Sequence, residues 1–247
     1  MKIVTLNLRH NADRWEERFP LVVDGLHQEQ ADIIALQEVY LPIQQAHLIA
    51  DALNSRTPHL PYTVYVEPKW GDDPWEGVGL LTRLPVLEHA RLELPEGQRV
   101  AQRLLVVEND TQFHIANTHL HHRPIEDESI RLPQMQALIT WMQAHSSAGW
   151  LLTGDMNAEP DSTTIHTAEQ YLQSTYTTVH GTQPITFPTP LVAANFPNIA
   201  LTIDYIFYDP RVFTVENAWV TANQPHPADP TLYPSDHFGL GAVLHQR

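Results

Sequence analysis

Four short segments carry residue types that bind cations and transfer protons. Ser235-Asp236-His237 lies near the C-terminus, Asn7 and Glu38 lie near the N-terminus, and Gly154-Asp155-Met156-Asn157 lies between them. An imidazole beside an acid can transfer a proton, whereas carboxylate and amide oxygens bind hard cations. The combination indicates a metal site suited to phosphoester cleavage.

The elements around these segments explain how they can converge. Short apolar runs precede Asn7, Glu38 and Asp155, which places each of these residues at the end of a predicted strand. His119 ends another run of this kind. Because functional side chains concentrate where strands end in loops, we predict that these residues meet at one edge of a sheet.

Taken singly, each residue has an ordinary structural alternative. Glu38 is equally typical of an acid that caps the helix predicted from Gln44, and Asn7 is more typical of a turn. Asp155 and Asn157 are two residues apart and share one side of an extended segment, so they can bind the same small group. An Asx turn after the strand is the alternative for this pair.

Asp204 lies in the apolar run of residues 202–207, where a carboxylate is costly unless it is paired. A catalytic imidazole needs a fixed tautomer, so Asp204 is the candidate partner of His119 or His237. An internal ion pair with Arg103 is the alternative.

Composition limits the metal and the partners. The chain of 247 residues has no cysteine, so oxygen or imidazole must hold any metal, which favours Mg²⁺, with Mn²⁺ as a substitute. His121 and His122 follow His119, but adjacent side chains point apart on a strand, which disfavours a zinc site. A net charge of −15 repels polyanions and disfavours non-specific nucleic-acid binding.

The 43% of hydrophobic residues supports a sizeable core, and we expect one domain over residues 1–247. The chain enters a strand directly after Met1, which predicts no signal peptide and a cytoplasmic protein. No run approaches the roughly 20 apolar residues of a membrane span. The oligomeric state has no signal in the sequence.

Hydrophobic periodicity predicts many strands and few helices. Strands are expected at residues 2–8, 33–37, 62–67, 77–82, 86–94, 102–108, 113–118, 150–153, 202–208, 212–220 and 239–244. Three helices are expected. The first has Pro20 in its first turn, the second covers residues 44–53, and the third lies around residues 130–142. Residues 184–197 are expected to form an ordered loop. This balance favours an α+β fold of two packed sheets flanked by helices.

The ordered set of site residues closely resembles the endonuclease/exonuclease/phosphatase superfamily, which has the deoxyribonuclease I-like fold. The set comprises Asn7, Glu38, His119, Asp155 with Asn157, Asp204, and Asp236-His237. Residues 77–85 are similar to the family stretch Gly-x-x-x-x-Ser/Thr-Arg-x-Pro, and Arg131 and Gln134 lie in the helix after the His119 strand. The resemblance implies a four-layer α/β/β/α sandwich of two mixed, mostly antiparallel sheets with a magnesium-dependent site.

The resemblance also implies roles for individual residues. Glu38 is expected as the principal metal ligand, with Asn7 and Asp236 near the ion. His237, held by Asp204, is expected as general base or phosphate-facing group. The remaining expectations are that Asp155 orients water or protonates the leaving group, that Asn157 and His119 steady phosphoryl oxygens, and that Arg83, Arg103 and Arg131 bind substrate.

Departures from known subfamilies narrow the substrate. Residues 201–207 lack the Trp-Cys-Asp-Arg signature of inositol polyphosphate 5-phosphatases, and Val39 stands where abasic-site endonucleases have lysine. We therefore expect a hydrolase of small or lipid-linked phosphoesters. The alternative is a nuclease whose groove is lined by Arg9, Arg83, Arg103, Arg123 and Arg131. A non-catalytic binding domain is disfavoured because no site residue is missing.

The segment of residues 69–76 contains two tryptophans between predicted strands. It can present aromatic faces to a base or a lipid tail. The alternative is that the loop folds its tryptophans onto the domain.

Overall fold

The computed structural model describes residues 1–70, 73–122, 124–146 and 148–247. The strands are β1 Lys2–Asn7, β2 Ile33–Tyr40, β3 Thr63–Pro68, β4 Glu76–Thr82, β5 Val86–Leu94, β6 Arg99–Glu108, β7 Thr111–His119, β8 Gly149–Asp155, β9 Gln173–Ser174, β10 Asp204–Tyr208, β11 Phe213–Thr221 and β12 Gly239–Gln246. The α-helices are α1 Trp15–Glu29, α2 Gln45–Arg56, α3 Arg131–Ala144, α4 Thr163–Glu169 and α5 Thr175–His180. Short 3₁₀ turns are formed by Leu41–Ile43 and Ala193–Asn195.

Within the described residues, the strands form two six-stranded sheets. The first has the order β11-β12-β1-β2-β4-β3, and the second has the order β5-β6-β7-β8-β10-β9. The pairs β1–β2 and β7–β8 are parallel, and the other neighbours are antiparallel. Both sheets are therefore mixed and mostly antiparallel, as predicted.

Three clusters of buried apolar residues separate four layers. Val23 of α1 and Ile49 of α2 pack on the outer face of the first sheet. Ile33 and Ile115 belong to the cluster between the two sheets. Leu138 of α3 packs on the outer face of the second sheet. The predicted α/β/β/α sandwich is confirmed, and removal of this apolar surface from water is its main source of stability.

Helix α1 begins at Trp15, so the prediction that Pro20 occupies its first turn was wrong. The fixed φ of proline is compatible with a helix, and its interior position removes one hydrogen bond without ending the helix here. Glu16 and Glu17 lie in the true first turn, where acids interact favourably with the helix dipole. In the described part of the chain, no helix is both long and apolar enough to cross a membrane.

A polar bridge connects the two sheets where strands β2 and β7 face each other. Gln37 Nε2 donates to Asn117 Oδ1 at 2.7 Å and to Thr5 Oγ1 at 2.9 Å. Asn117 Nδ2 donates to the carbonyl oxygens of Leu36 and Gly79, both at 2.9 Å. These buried hydrogen bonds join the two sheets and fix the relative position of the strand ends that carry Glu38 and His119.

Candidate active site

The buried pair Asp204 and His237 lies at the centre of the site. His237 Nδ1 donates to Asp204 Oδ2 at 2.8 Å, and His237 Nε2 lies 3.8 Å from Asp155 Oδ2. Burial alone would lower the pKa of His237, but Asp204 and the acidic groups beside it raise this pKa well above its ordinary value. The alternative pairing of Asp204 with Arg103 is wrong, because Arg103 Nη2 donates to Glu88 Oε2 at 2.8 Å.

Asp155 ends β8 opposite Asp204 on β10 and His119 on β7. Its Oδ1 accepts a hydrogen bond from the backbone N–H of Asn157 at 2.9 Å, which forms the predicted Asx turn. Its Oδ2 lies 3.7 Å from His119 Nε2. Burial and the charge of Asp204 raise the pKa of Asp155. Asp155 therefore forms the turn with Oδ1 and faces the site with Oδ2.

Gly154 allows strands β7 and β8 to approach closely beside the site. Its φ is +146°, and a Cβ added there would lie 2.0 Å from the backbone oxygen of Thr118. Any larger residue would push apart the strand ends that carry His119 and Asp155.

Glu38 lies at a β-bulge in β2. The pairing of β2 with β4 shifts register between Leu36 and Val39, and Glu38 has a φ of 50°. Glu38 Oε2 lies 2.8 Å from His10 Nε2. Burial alone would raise the pKa of Glu38, but His10 and neighbouring imidazoles lower it well below its ordinary value, so the carboxylate is ionised. The helix-cap alternative is wrong, because Gln44 occupies the N-cap of α2 and that cap has no side-chain hydrogen bond.

Asn7 connects Glu38 with Asp155. Its Nδ2 donates to Glu38 Oε1 at 3.3 Å and to Asp155 Oδ2 at 3.0 Å. Its Oδ1 accepts a hydrogen bond from the backbone N–H of Arg9 at 2.9 Å, which is the turn typical of asparagine. Asn7 therefore orients the carboxylate of Glu38 with its NH₂ group.

Asp236 is a further buried acid of the site. Its Oδ2 lies 3.3 Å from Arg9 Nη1, and its Oδ1 accepts a hydrogen bond from Ser235 Oγ at 3.2 Å. Burial raises the pKa of Asp236, and the nearby negative charge of Glu38 raises it further, although His237 opposes the change. Neighbouring carboxylates of this kind favour a bound cation.

Glu76 was not predicted as a site residue, but its carboxylate lies among four groups that can carry positive charge. It is 3.3 Å from Lys69 Nζ, 3.4 Å from Arg99 Nη1, 3.6 Å from His119 Nδ1 and 3.8 Å from His10 Nε2. Burial alone would raise the pKa of Glu76, but His119 and, to a smaller extent, Lys69 lower it to about 2. The available signal was an acid directly before the glycine-containing stretch of residues 77–85.

A cavity of about 590 Å³ exposes the site, and its lining combines charged and apolar side chains. The predicted site residues that line it are Glu38, His119, Asp155, Asn157, Asp236 and His237. The lining groups that can carry positive charge and were not assigned to the metal or catalytic core are Arg9, His10, Lys69, Arg99 and His122. The Phe187 ring lies 4.9 Å from the His237 ring and 5.0 Å from the Phe196 ring, so the predicted ordered loop of residues 184–197 forms part of this wall.

The structure does not bring Arg83, Arg103 and Arg131 to this cavity. The Arg83 guanidinium lies 4.3 Å from the centre of the Tyr62 ring. Arg103 lines a separate cavity of about 530 Å³. Arg131 is buried and donates to backbone carbonyls in the segment of residues 121–125. These contacts stabilise the fold. The three arginines therefore do not line the site cavity, where they were expected to bind substrate.

Two further expectations concern segments that the structure describes only in part. Arg123, and Gly71 and Asp72 of the tryptophan segment, lie outside the described residues. Trp75 stacks on Tyr40 with ring centroids 6.4 Å apart, yet 61% of its surface is exposed. Trp75 therefore packs on the domain and also presents an aromatic face.

Among the described residues, one group of ligand atoms lies close enough together to hold a metal ion. Asp155, Asp204 and His237 each offer an atom, and these atoms all lie within 4.8 Å of one another. A cation there would compete with the existing hydrogen bond between His237 and Asp204. Glu38 and Asp236 instead offer hard carboxylate oxygens, and Glu38 Oε2 is buried 2.8 Å from His10 Nε2. Carboxylate oxygens of this kind suit a hard divalent cation.

The geometry agrees with a comparison against protein families. The sequence profile of the Endonuclease/Exonuclease/phosphatase family matches residues 4–237, which span the site from Asn7 to His237. The chain belongs to this family. It is a phosphoester hydrolase, as members of the family are. No curated protein sequence matches the chain significantly.

Several solved structures share the fold over nearly the whole chain. A functionally unknown conserved protein from Enterococcus faecalis V583 has a TM-score of 0.79 at 21% identity and covers 100% of both chains. The mannosyl-6-phosphatase Bt3783 of Bacteroides thetaiotaomicron VPI-5482 has a TM-score of 0.79 at 18% identity, covering 99% of each chain. The human nocturnin catalytic domain with bound sulfate has a TM-score of 0.75 at 24% identity, covering 100% of this chain and 93% of the other. Likeness at these identities shows the deoxyribonuclease I-like fold and not the substrate.

Proposed function

We propose that the protein is a Mg²⁺-dependent phosphoesterase whose single domain hydrolyses small or lipid-linked phosphoesters by attack of water on phosphorus. The observation that carries this proposal is the buried Asp204–His237 pair beside Asp155, in the same cavity as the ionised Glu38. Paired groups with altered pKa values in a cleft are typical of catalytic sites.

Glu38 is the proposed principal ligand of the cation, with Asp236 close to it and Asn7 orienting Glu38. Mn²⁺ is expected to substitute for Mg²⁺, because both prefer oxygen ligands. When bound, a divalent cation neutralises charge that develops on the phosphoryl oxygens.

The remaining residues have complementary proposed roles. His237, which Asp204 holds as a charged imidazole, faces a phosphoryl oxygen. Asp155 has a raised pKa and is suited to orient the attacking water or to give a proton to the leaving group. The backbone N–H of Asn157 contacts Asp155 Oδ1, and His119 Nε2 lies near Asp155 Oδ2. The side chains of Asn157 and His119 are proposed to steady the other phosphoryl oxygens.

The walls of the cavity and the charge of the chain support a small substrate. Arg9, Lys69 and Arg99 supply positive charge within a cavity of about 590 Å³, while Phe187 and Phe196 supply apolar surface for a carbon skeleton. The net charge of −15 repels long polyanions. A relative of the same fold, named as a mannosyl-6-phosphatase, agrees with a small phosphoester. The cytoplasmic location expected from the sequence is part of this proposal.

The test is hydrolysis of bis-p-nitrophenyl phosphate, p-nitrophenyl phosphate, and single- and double-stranded oligonucleotides after removal of metals with a chelator and addition of Mg²⁺ or Mn²⁺. We expect metal-dependent turnover of a nitrophenyl ester that is lost in Glu38→Ala, with intact oligonucleotides. Cleavage of an oligonucleotide that Glu38→Ala abolishes would instead establish a nuclease. If none of these substrates is hydrolysed with either metal, the proposal is wrong.

A further inference from the structure

Arg18 of α1 is completely buried, and its guanidinium is bonded to backbone carbonyl oxygens. Nε donates to the carbonyl oxygen of Asp13 at 2.8 Å, and Nη1 donates to those of Leu8 at 3.0 Å and Pro234 at 2.8 Å. Nη2 donates to the carbonyl oxygens of Ala12 at 2.5 Å, His10 at 3.4 Å and Arg9 at 3.5 Å. Burial lowers the pKa of Arg18 to about 10, so the group stays charged at neutral pH. A charge buried this deeply is stable because all five N–H groups have acceptors.

The β1–α1 loop, residues 8–14, has an unusual backbone conformation. Arg9, His10, Asp13 and Arg14 have φ values of 60°, 36°, 47° and 65°, which lie in the left-handed region that disfavours residues other than glycine. Such conformations are unfavourable for these residues and persist only where surrounding contacts enforce them. Arg18 supplies several of the contacts that hold this loop, and Gln45 Nε2 supplies another by donating to the carbonyl oxygen of His10 at 2.8 Å.

This loop carries two side chains of the active site. Arg9 Nη1 lies 3.3 Å from Asp236 Oδ2, and His10 Nε2 lies 2.8 Å from Glu38 Oε2. Pro234, which also accepts a hydrogen bond from Arg18, directly precedes the segment with Asp236. One guanidinium therefore joins the β1–α1 loop to the loop that precedes β12.

We propose that Arg18 is a positioning residue that fixes the β1–α1 loop against the segment of residues 234–237, and so holds Arg9 at Asp236 and His10 at Glu38. The proposal rests on the proposed phosphoesterase function, and Arg18 itself does not touch the substrate. Lysine cannot replace it, because an ammonium lacks the planar fork that reaches carbonyls from two separate loops.

The first test compares Arg18→Lys with Val22→Ala, which removes buried volume from the same face of α1 without altering the carbonyl contacts. Both variants are assayed where circular dichroism shows them to be folded. We expect Arg18→Lys to lower kcat/KM for bis-p-nitrophenyl phosphate by up to about 100-fold, the cost of a small misplacement of site groups. Val22→Ala is expected to retain wild-type kcat/KM. Equal losses in the two variants would overturn the proposal.

A double-mutant cycle separates positioning from general stability. Arg18→Lys is measured again in a background that carries Arg9→Ala and His10→Ala. If Arg18 acts through these two side chains, most of its effect on kcat/KM disappears in that background. An undiminished effect there would contradict the proposal. Should Arg18→Lys not fold, Arg18→Gln keeps a shorter planar donor, and the same outcomes apply to it.

Hydrogen exchange tests the proposal independently of activity. Backbone amides of residues 8–14 and 235–237 are expected to exchange faster in Arg18→Lys than in the wild type, and Val22→Ala is expected to leave these segments unchanged relative to the rest of the protein. If the wild type hydrolyses no phosphoester, the proposed function fails but this measurement still decides the role of Arg18. Unchanged exchange in Arg18→Lys would overturn it.

Discussion

His237 Nδ1 lies 2.8 Å from Asp204 Oδ2, and the two side chains are only 5% and 1% exposed. Because an ionised carboxylate only accepts hydrogen bonds, this contact fixes the proton on Nδ1 and directs Nε2 toward Asp155. The contact also keeps the imidazole charged, since the pKa of His237 is raised well above its ordinary value despite burial. The working state of His237 therefore depends on Asp204.

The first prediction is that Asp204→Asn lowers the rate of phosphoester hydrolysis by about two or more orders of magnitude, the range for loss of a group that stabilises charge on a reacting oxygen. An amide removes the negative charge that raises the pKa of His237, so this pKa should fall in the variant. Steady-state kinetics measures the rate, and NMR titration of the imidazole measures the pKa. His237→Ala should lower the rate to a similar extent.

Asp209→Asn is the matched control for Asp204→Asn. Asp209 follows the other end of β10, is 2% exposed, and pairs with Arg211 at 2.7 Å, away from the cavity. We expect turnover close to that of the wild type. If Asp204→Asn stays within about tenfold of the wild-type rate, the role given to Asp204 is incorrect.

The second prediction concerns Glu76, which lies 3.6 Å from His119 Nδ1 and 3.4 Å from Arg99 Nη1. Glu76→Gln removes the negative charge that holds both groups, so we expect kcat/KM to fall by about tenfold or more. Glu67→Gln, on the neighbouring strand β3, removes a carboxylate that pairs with His89 and Arg91 outside the cavity and should have little effect. Equal kinetics for the two variants would show that Glu76 is not part of the site.

The third prediction concerns stability as a function of pH. Burial, and secondly the charge of Arg103, lower the pKa of His114 from 6.5 to about 4. Between these values the unfolded chain binds a proton that the folded protein does not, so the free energy of unfolding should fall as the pH is lowered from 6.5 to 4. The contribution of His114 is at most about 3 kcal/mol, and urea unfolding at several pH values measures it.

His114→Phe isolates this contribution, because phenylalanine retains a ring against Trp150, whose centroid lies 4.4 Å from the imidazole. The variant should lose less stability than the wild type over the same pH interval. Parallel curves for the two proteins would mean that His114 titrates normally in the folded state.

The sequence was sufficient to predict the architecture and the residues at strand ends. Runs of β-branched and apolar residues mark the long strands, and polar residues that directly follow such runs, such as Glu38 and Asp155, mark the site. Both β1–β2 and β7–β8 proved to be parallel, so their carboxyl ends meet at one edge. The sequence pattern shows that each of these residues follows a buried strand. The direction of that strand then decides which edge of the sheet the residue reaches.

Other features depend on contacts that no local pattern contains. The short helices α4 and α5 were not predicted, since helices of this length are stabilised by tertiary packing more than by propensity. His10 reaches Glu38 only because the β1–α1 loop adopts left-handed conformations. Arg103 was wrongly expected in the site because its charge alone does not show that it faces a different cavity.

The proposed metal site is tested most directly by calorimetric titration of the metal-free protein with Mn²⁺. The same samples are then assayed for hydrolysis of bis-p-nitrophenyl phosphate. Glu38→Gln is compared with Glu29→Gln, whose side chain is 14% exposed against 16% for Glu38 and pairs with Lys2 instead. We predict that the wild type and Glu29→Gln bind Mn²⁺ and hydrolyse the diester, and that Glu38→Gln does neither. If Glu38→Gln binds Mn²⁺ and hydrolyses the diester as well as the wild type does, the proposed metal site is wrong.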